Sequence, residues 1–406
     1  MVTVAPFRAL RPLPQAASAV AAVPYDVVSS DEARALGAGD PLSFLHVSRA
    51  EIDLAPETDP HADVVYATAA ENLATLRDRA PLVLEEEPSL YVYRLRMGAH
   101  MQTGIAGCFS IAEYDADVIK RHERTRPEKE DDRTRHIIEL RAQTGPVFLL
   151  HGASRGVTEV VARTTGAGTP PLCDFTAVDG VQHTLWRVTG EDQRALVTAF
   201  GAMSALYIAD GHHRAASAAR ARQHFGETGG AGEWDTFVAV AFPGDQTQIF
   251  PYNRVVKDLR AHTPEALLAL LRRELTVTRG PAMPVRKGEV SMFLAGEWFT
   301  IELGGPPAGA GVAEQLDVSR LQDLVLSPLL GIRDVRTDTR IDFIGGVRGT
   351  AELEMLVSSG QAAVAFAMYP VGVADLMAIS DAGGIMPPKS TWFEPKLRDG
   401  LLTHLI

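Results

Sequence analysis

Cysteine is nearly absent: Cys108 and Cys173 are the two in 406 residues, far apart and with no second Cys or His at metal-ligand spacing. Neither a disulfide framework nor a structural zinc site is expected, and both thiols read as small core residues. Long apolar runs are also missing. No stretch of about 18 apolar residues appears, so no membrane-spanning helix is expected. The first residues carry Pro6, Arg8, Arg11 and Pro12 where a secretory leader needs an apolar stretch, and the chain reads as cytoplasmic. Basic residues are outnumbered, 39 Lys and Arg against 51 Asp and Glu for a net charge of −12. That balance argues against nucleic acid as a partner, because a polyanion needs a basic face.

What is present is an ordinary globular composition, 46% apolar and 22% charged, sufficient for two or three domains with full cores. The pattern mixes helices and strands in an α+β manner and divides into regions 1–115, 116–260 and 261–406. In the first, Ser29-Ser30-Asp31-Glu32 predicts a capped helix, and Ala62 to Arg79 an amphipathic helix stopped by Pro81. Ser89 to Met97 and Met101 to Tyr114 predict a β-hairpin around Gly98. In the second, Pro146 to His151, Gln182 to Val188 and Phe237 to Phe242 read as strands and Val157 to Arg163 as a short helix. Gly229 to Gly232 is a flexible connection. In the third, a helix is expected at Pro264 to Arg273, strands within Glu289 to Leu303, a half-buried strand over Val335 to Gly346, an apolar strand at Ala363 to Tyr369 and a helix at Gly372 to Ser380.

The most informative segment is Asp210-Gly211-His212-His213-Arg214. It lies between apolar Ala205 to Ala209 and an alanine-rich run, Ala215 to Ala221, that reads as a helix. A strand that turns at glycine into a helix presents unpaired backbone N–H groups and a positive dipole end, which bind an anion. Gly211 permits close approach of the backbone. Asp210 could hold a metal ion, His212 and His213 donate hydrogen bonds or move protons, and Arg214 offers a planar fork for phosphate. The plainer alternative makes Asp210 only the helix cap, but a cap does not call for the three nitrogen-bearing side chains that follow it.

Upstream, Ile119 to Pro127 carries His122-Glu123 among Lys120, Arg121, Arg124 and Arg126. Flanking cations keep a carboxylate ionised and point toward an anion. Arg121, Arg124 and Arg133 are the candidate phosphate clamps. Glu128 to Arg135 reads as a solvated helix face whose like-charged i,i+4 pairs, Glu128-Asp132 and Lys129-Arg133, need outside partners. Tyr25 and Asp26 are loop residues, either turn formers or substrate contacts. Met386-Pro387-Pro388-Lys389-Ser390-Thr391 is a rigid polar loop that either lines a site, through Lys389 and Ser390, or locks the C-terminal segment in place.

The DGHHR segment resembles the phosphate-binding box of the ParB/sulfiredoxin-like superfamily, in particular its free-serine kinase branch. With Arg11-Pro12, Val23 to Val28, His122 to Thr125 and Met386 to Lys396, the whole chain is similar to a bacterial and archaeal family of unknown function described as SerK-like or ParB-like. The resemblance implies a ParB/sulfiredoxin-like nucleotide-binding core with an insertion looped out between Glu123 and Asp210. It also implies Glu123, with His122, as the carboxylate that activates a substrate hydroxyl. On that basis the expected activity is phosphoryl transfer to a small hydroxyl metabolite, free L-serine, from ATP or another nucleotide with Mg2+. A phosphoserine phosphatase using His212 or His213 as acceptor, and a non-catalytic nucleotide-binding regulator, stay open, as does a homo-oligomer.

Overall fold

The computed structural model describes residues 1–79, 82–226 and 230–406, so Pro81 and Gly229 lie outside the described residues. The chain forms two compact units: residues 1–247 with 395–406, and residues 248–394. Each is a mixed α+β structure. No described helix is long and apolar enough to cross a membrane.

The first unit is built on a nine-stranded mixed sheet. Its hairpin pairs β1 (Leu90–Met97) with β2 (His100–Ser110). Tyr91, Tyr93 and Leu95 are buried, and so are the neighbouring Leu90 and Val92, so this part of the strand is covered on both faces. The hairpin's second strand stops earlier than Tyr114, because Ser110 accepts a hydrogen bond from the Glu113 N–H (3.4 Å) and starts the short helix Ile111–Asp115.

Next come β3 (Ile119–Lys120), β4 (Val147–His151), β5 (Cys173–Thr176), β6 (Gln182–Val188), β7 (Leu206–Asp210) and β8 (Thr236–Pro243). The sheet order is β3-β7-β4-β8-β2-β1-β6-β5, with the two-residue strand Val4–Ala5 on β2. Two expectations are corrected by this order. The residues between Glu123 and Asp210 are not a looped-out insertion, since they supply β4, wedged between β7 and β8, and β6, paired with β1. The cut near residue 115 has no counterpart either, because β2 pairs with β8 along six residues and one core spans both stretches.

Three helices matter for the site: α1 (Asp63–Arg79), α2 (Pro127–Leu140) and α3 (His212–Gly226). The charged run of α2 finds its partners on its neighbours. Asp132 accepts from the Tyr66 hydroxyl (2.8 Å) and Arg135 pairs with Asp63 (2.8 Å), both on α1. Arg220 of α3 pairs with Asp131 (2.5 Å) and Glu130 (3.5 Å). Of the two like-charged i,i+4 pairs, Asp132 and Arg133 find partners outside the helix, in the Tyr66 hydroxyl and the Ser48 carbonyl. A smaller four-stranded sheet seats the late strand Thr403–Leu405 between Ala9–Pro12 and Ala142–Gln143.

The second unit carries a six-stranded sheet, in the order Thr276–Arg279, Glu297–Glu302, Glu289–Leu294, Val364–Met368, Tyr252–Val256, Ile341–Gly345, and a ribbon of Gln248–Phe250 with Trp392–Glu394. The expected strand over Val335 to Gly346 is confined to Ile341–Gly345. Before it, Asp334 and Asp338 each accept the backbone N–H two residues on, Arg336 (3.0 Å) and Arg340 (2.9 Å), and these turns divert the chain from a ladder.

Phe109 is fully buried and packs edge-on to Phe200 at 5.8 Å between ring centres. Phe109→Ala is expected to destabilise the first unit by about 3–5 kcal/mol, measured as an earlier urea midpoint. A loss under about 1 kcal/mol would contradict its place in the core.

Candidate active site

The register of β3 on β7 brings two distant motifs together. Ile119 and Lys120 pair in parallel with Leu206 and Tyr207, so the residues following each strand, His122-Glu123 and the DGHHR segment, emerge side by side. β7 is irregular between Ile208 and Asp210, and Gly211 then turns with φ +92°. The backbone angle favours glycine, and a Cβ there would crowd Arg214, standing 3.0 Å from its Cζ and Nε. α3 begins at once, its first N–H groups lacking intrahelical partners.

The two histidines anchor the facing loop. The backbone N–H of Arg126 donates to Nε2 of His213 (3.0 Å), and that of His122 to Nε2 of His212 at a long 3.5 Å. Nδ1 of His212 is 3.9 Å from Oε2 of half-exposed Glu123, and its ring lies edge-to-face with His122 at 4.4 Å. Burial, then the neighbouring His122, holds the His212 imidazole well below its ordinary pKa. Burial likewise lowers His213 and holds His122 down at about 4. All three are neutral at pH 7. The Ile208 carbonyl works to keep His122 protonated, yet neither ring nitrogen closes a hydrogen bond among the described residues. His122, Glu123 and His212 each bring one ligand atom within 4.8 Å of the others.

Asp210 sits between two cations. Its Oδ2 accepts from Nη2 of Arg214 (2.9 Å) and lies 3.8 Å from Nζ of Lys396. Burial works to raise the carboxyl, but Lys396 and Arg214 overcome it and hold it below the usual carboxylate range. Arg214 is engaged as well. It is 8% exposed, donates to the Pro146 carbonyl and lies 3.8 Å from Asp26. Burial works against its charge, which Asp26, Asp210 and Asp399 sustain.

Of the other sequence candidates, Asp26 reaches this cluster, and buried Tyr25 stacks under Arg133 at 4.3 Å. Arg133 is engaged by Asp132 (2.8 Å) and the Ser48 carbonyl (3.2 Å). Arg121 lies over the Tyr114 ring at 4.8 Å, and Arg124 is exposed on the loop. Lys389 and Ser390 belong to the second unit and are engaged there. The Lys389 carbonyl accepts from Arg254 (3.1 Å), its ammonium sits 5.5 Å over Tyr252, and the Ser390 hydroxyl donates to the Pro387 carbonyl (2.6 Å).

Two residues escaped sequence reading. Lys396 lies at the end of the Met386 to Lys396 motif, where that match was its only signal. Asp399 had none. Its backbone exchanges hydrogen bonds with Ala22 (3.0 and 3.1 Å), and its carboxyl is 1% exposed beside Arg214. Burial lifts that carboxyl to about 7, with Asp26 adding to the rise and Arg214 and Arg133 opposing it. It faces a cavity of about 30 Å³ shared with Tyr25, Arg133 and Arg214, room for one or two waters.

A family model described as "Protein of unknown function (DUF1015)" matches residues 4–319. The chain belongs to that family. No curated protein gives a significant match. Among solved structures, a variant of a free serine kinase in complex with AMP is 16% identical, with a TM-score of 0.35 over 73% of this chain and 92% of that one. SbnI with a C-terminal truncation, from Staphylococcus aureus, is 13% identical, with a TM-score of 0.39 over 74% and 87%. A conserved hypothetical protein from Pyrococcus furiosus is 14% identical, with a TM-score of 0.33 over 74% and 95%. Likenesses this weak transfer neither fold nor chemistry to this member of the family.

The raised Asp399 pKa has a stability consequence. A carboxyl at about 7 when folded and near 4 when unfolded favours the folded state below pH 4, and that stabilisation is lost as pH rises to 7. Asp399→Asn is expected to remove this slope, so that thermal unfolding of the variant gains on the parent between pH 5 and pH 8. Parallel pH profiles for the two proteins would contradict the assignment.

Proposed function

We propose that this site transfers a phosphoryl group from a nucleotide to a small hydroxyl metabolite, with free L-serine as the acceptor implied by the motif resemblance. The observation that carries the reading is the half-exposed Glu123 carboxylate beside the start of α3, 3.9 Å from His212. Phosphoryl transfer asks a protein mainly for positioning, charge stabilisation and a proton acceptor. The glycine turn and helix start suit a phosphate, and Glu123 is the group that would take the hydroxyl proton. Lys396 and Arg214 balance Asp210, so an incoming phosphate would not meet an uncompensated carboxylate. Asp210 acts on this reading through Arg214 and Lys396, while Mg2+ enters held by the nucleotide's own phosphates. β7, Gly211 and α3 would be the ParB/sulfiredoxin-like element, and a cytoplasmic location suits an enzyme fed by soluble nucleotide.

The phosphatase reading is less well supported. An imidazole nitrogen attacking phosphorus needs a free lone pair, and Nε2 of His213, like Nε2 of His212 at longer range, faces a backbone N–H. In a mixture of protein, L-serine, Mg2+ and ATP or ADP, mass spectrometry is expected to detect phosphoserine. Glu123→Gln should slow its formation by about 10²-fold or more. Unchanged product in Glu123→Gln removes the base assignment. Phosphate released from phosphoserine without nucleotide would favour the phosphatase, and nucleotide binding with neither reaction the regulator.

A further inference from the structure

We infer that His122, Glu123 and His212 bind a divalent ion of the zinc, manganese or iron(II) class, separate from any Mg2+ carried by a nucleotide. The inference stands on the donor set and does not need the phosphotransfer reading. Two imidazoles and a carboxylate place their ligand atoms within 4.8 Å of one another. His122 is the telling member: it is 2% exposed, and both its ring nitrogens lack a hydrogen bond among the described residues. A polar ring buried in that state is unfavourable, and a bound ion would relieve it.

His212 offers Nδ1, 3.9 Å from Oε2 of Glu123, while its Nε2 faces the His122 N–H at 3.5 Å. Ligation through Nδ1 places the ring proton on Nε2, opposite the His122 N–H, so this contact, already at the outer limit of hydrogen bonding, must open as the ion binds. Metal–nitrogen bonds of 2.0–2.1 Å in a tetrahedral site put neighbouring ligands about 3.4 Å apart. The cluster must therefore close by up to about 1.4 Å, from 4.8 Å to that spacing, through movement of its side chains as the ion binds. Two nitrogens in the set select a transition-type ion, because Mg2+ and Ca2+ take oxygen ligands. Three protein ligands leave a position for water or a substrate oxygen. Glu123 would give one oxygen to the ion and keep the other to accept a proton.

The test uses the full chain, stripped with chelator and titrated with Zn2+, Co2+ or Mg2+ alone. One equivalent of Zn2+ is expected to bind, Co2+ should give visible absorption at the same stoichiometry, and excess Mg2+ should displace neither. His122→Gln and His212→Gln should weaken Zn2+ binding by about 10²-fold or more, and exposed His61→Gln should not. X-ray absorption of the zinc-loaded parent protein counts the imidazoles without any variant: two supports the site, none or one overturns it. Absence of stoichiometric binding, or full affinity in a folded His122→Gln, also overturns it. Metal bound without phosphoserine formation would sink only the proposed function, and phosphoserine formed without metal affinity only this site.

Discussion

A guanidinium buried in the first unit organises the site. Arg214 is 8% exposed, and removing such a charge from water is costly unless carboxylates and carbonyls surround it. Here they come from four parts of the chain: Asp26 from the early loop, the Pro146 carbonyl ahead of β4, Asp210 from β7 and Asp399 from the late segment. Satisfying one side chain thus gathers the elements that frame the start of α3. Gly211 belongs to the same constraint, because it is the missing Cβ that lets Arg214 fold back over the turn.

Charge balance around this hub decides which groups remain available for chemistry. Asp210 is held ionised by Arg214 and Lys396 and is committed to them. Asp399 is lifted toward neutrality, because the same cations do not suffice for every carboxylate in a dry setting. The histidines of the DGHHR segment are neutral and tie down the loop after β3. His122 and Glu123 lie beside the helix start, one a buried ring and the other a half-exposed carboxylate.

Much of the local structure was legible. The Ser29–Glu32 capping box forms as the residue types suggest, the charged run is a helix, and the strand, glycine and helix of the DGHHR segment follow from apolar run, positive-φ turn and alanine content. Less legible was the role of each polar side chain. A residue type states what a group can do, whereas its neighbours determine whether it is occupied. Arg133 is a good phosphate ligand by type, and Asp132 and the Ser48 carbonyl take it. Ser390 is a good donor by type, and the Pro387 carbonyl takes it. Strand pairing was equally hidden: periodicity reveals that β4 is a strand but not that it separates β7 from β8, since register depends on partners remote in sequence.

The amino-acid order alone determined the elements and the two motifs, because helix starts, glycine turns and apolar periodicity are interactions among residues a few positions apart. Tertiary structure decided that those motifs meet, through the parallel pairing of Ile119-Lys120 with Leu206-Tyr207, and that Lys396 and Asp399 join them from nearly 200 residues downstream. The physical reason is that electrostatics and burial depend on distance in space: a carboxylate's charge, a histidine's proton and a metal-ligand cluster exist only once the chain has closed around them.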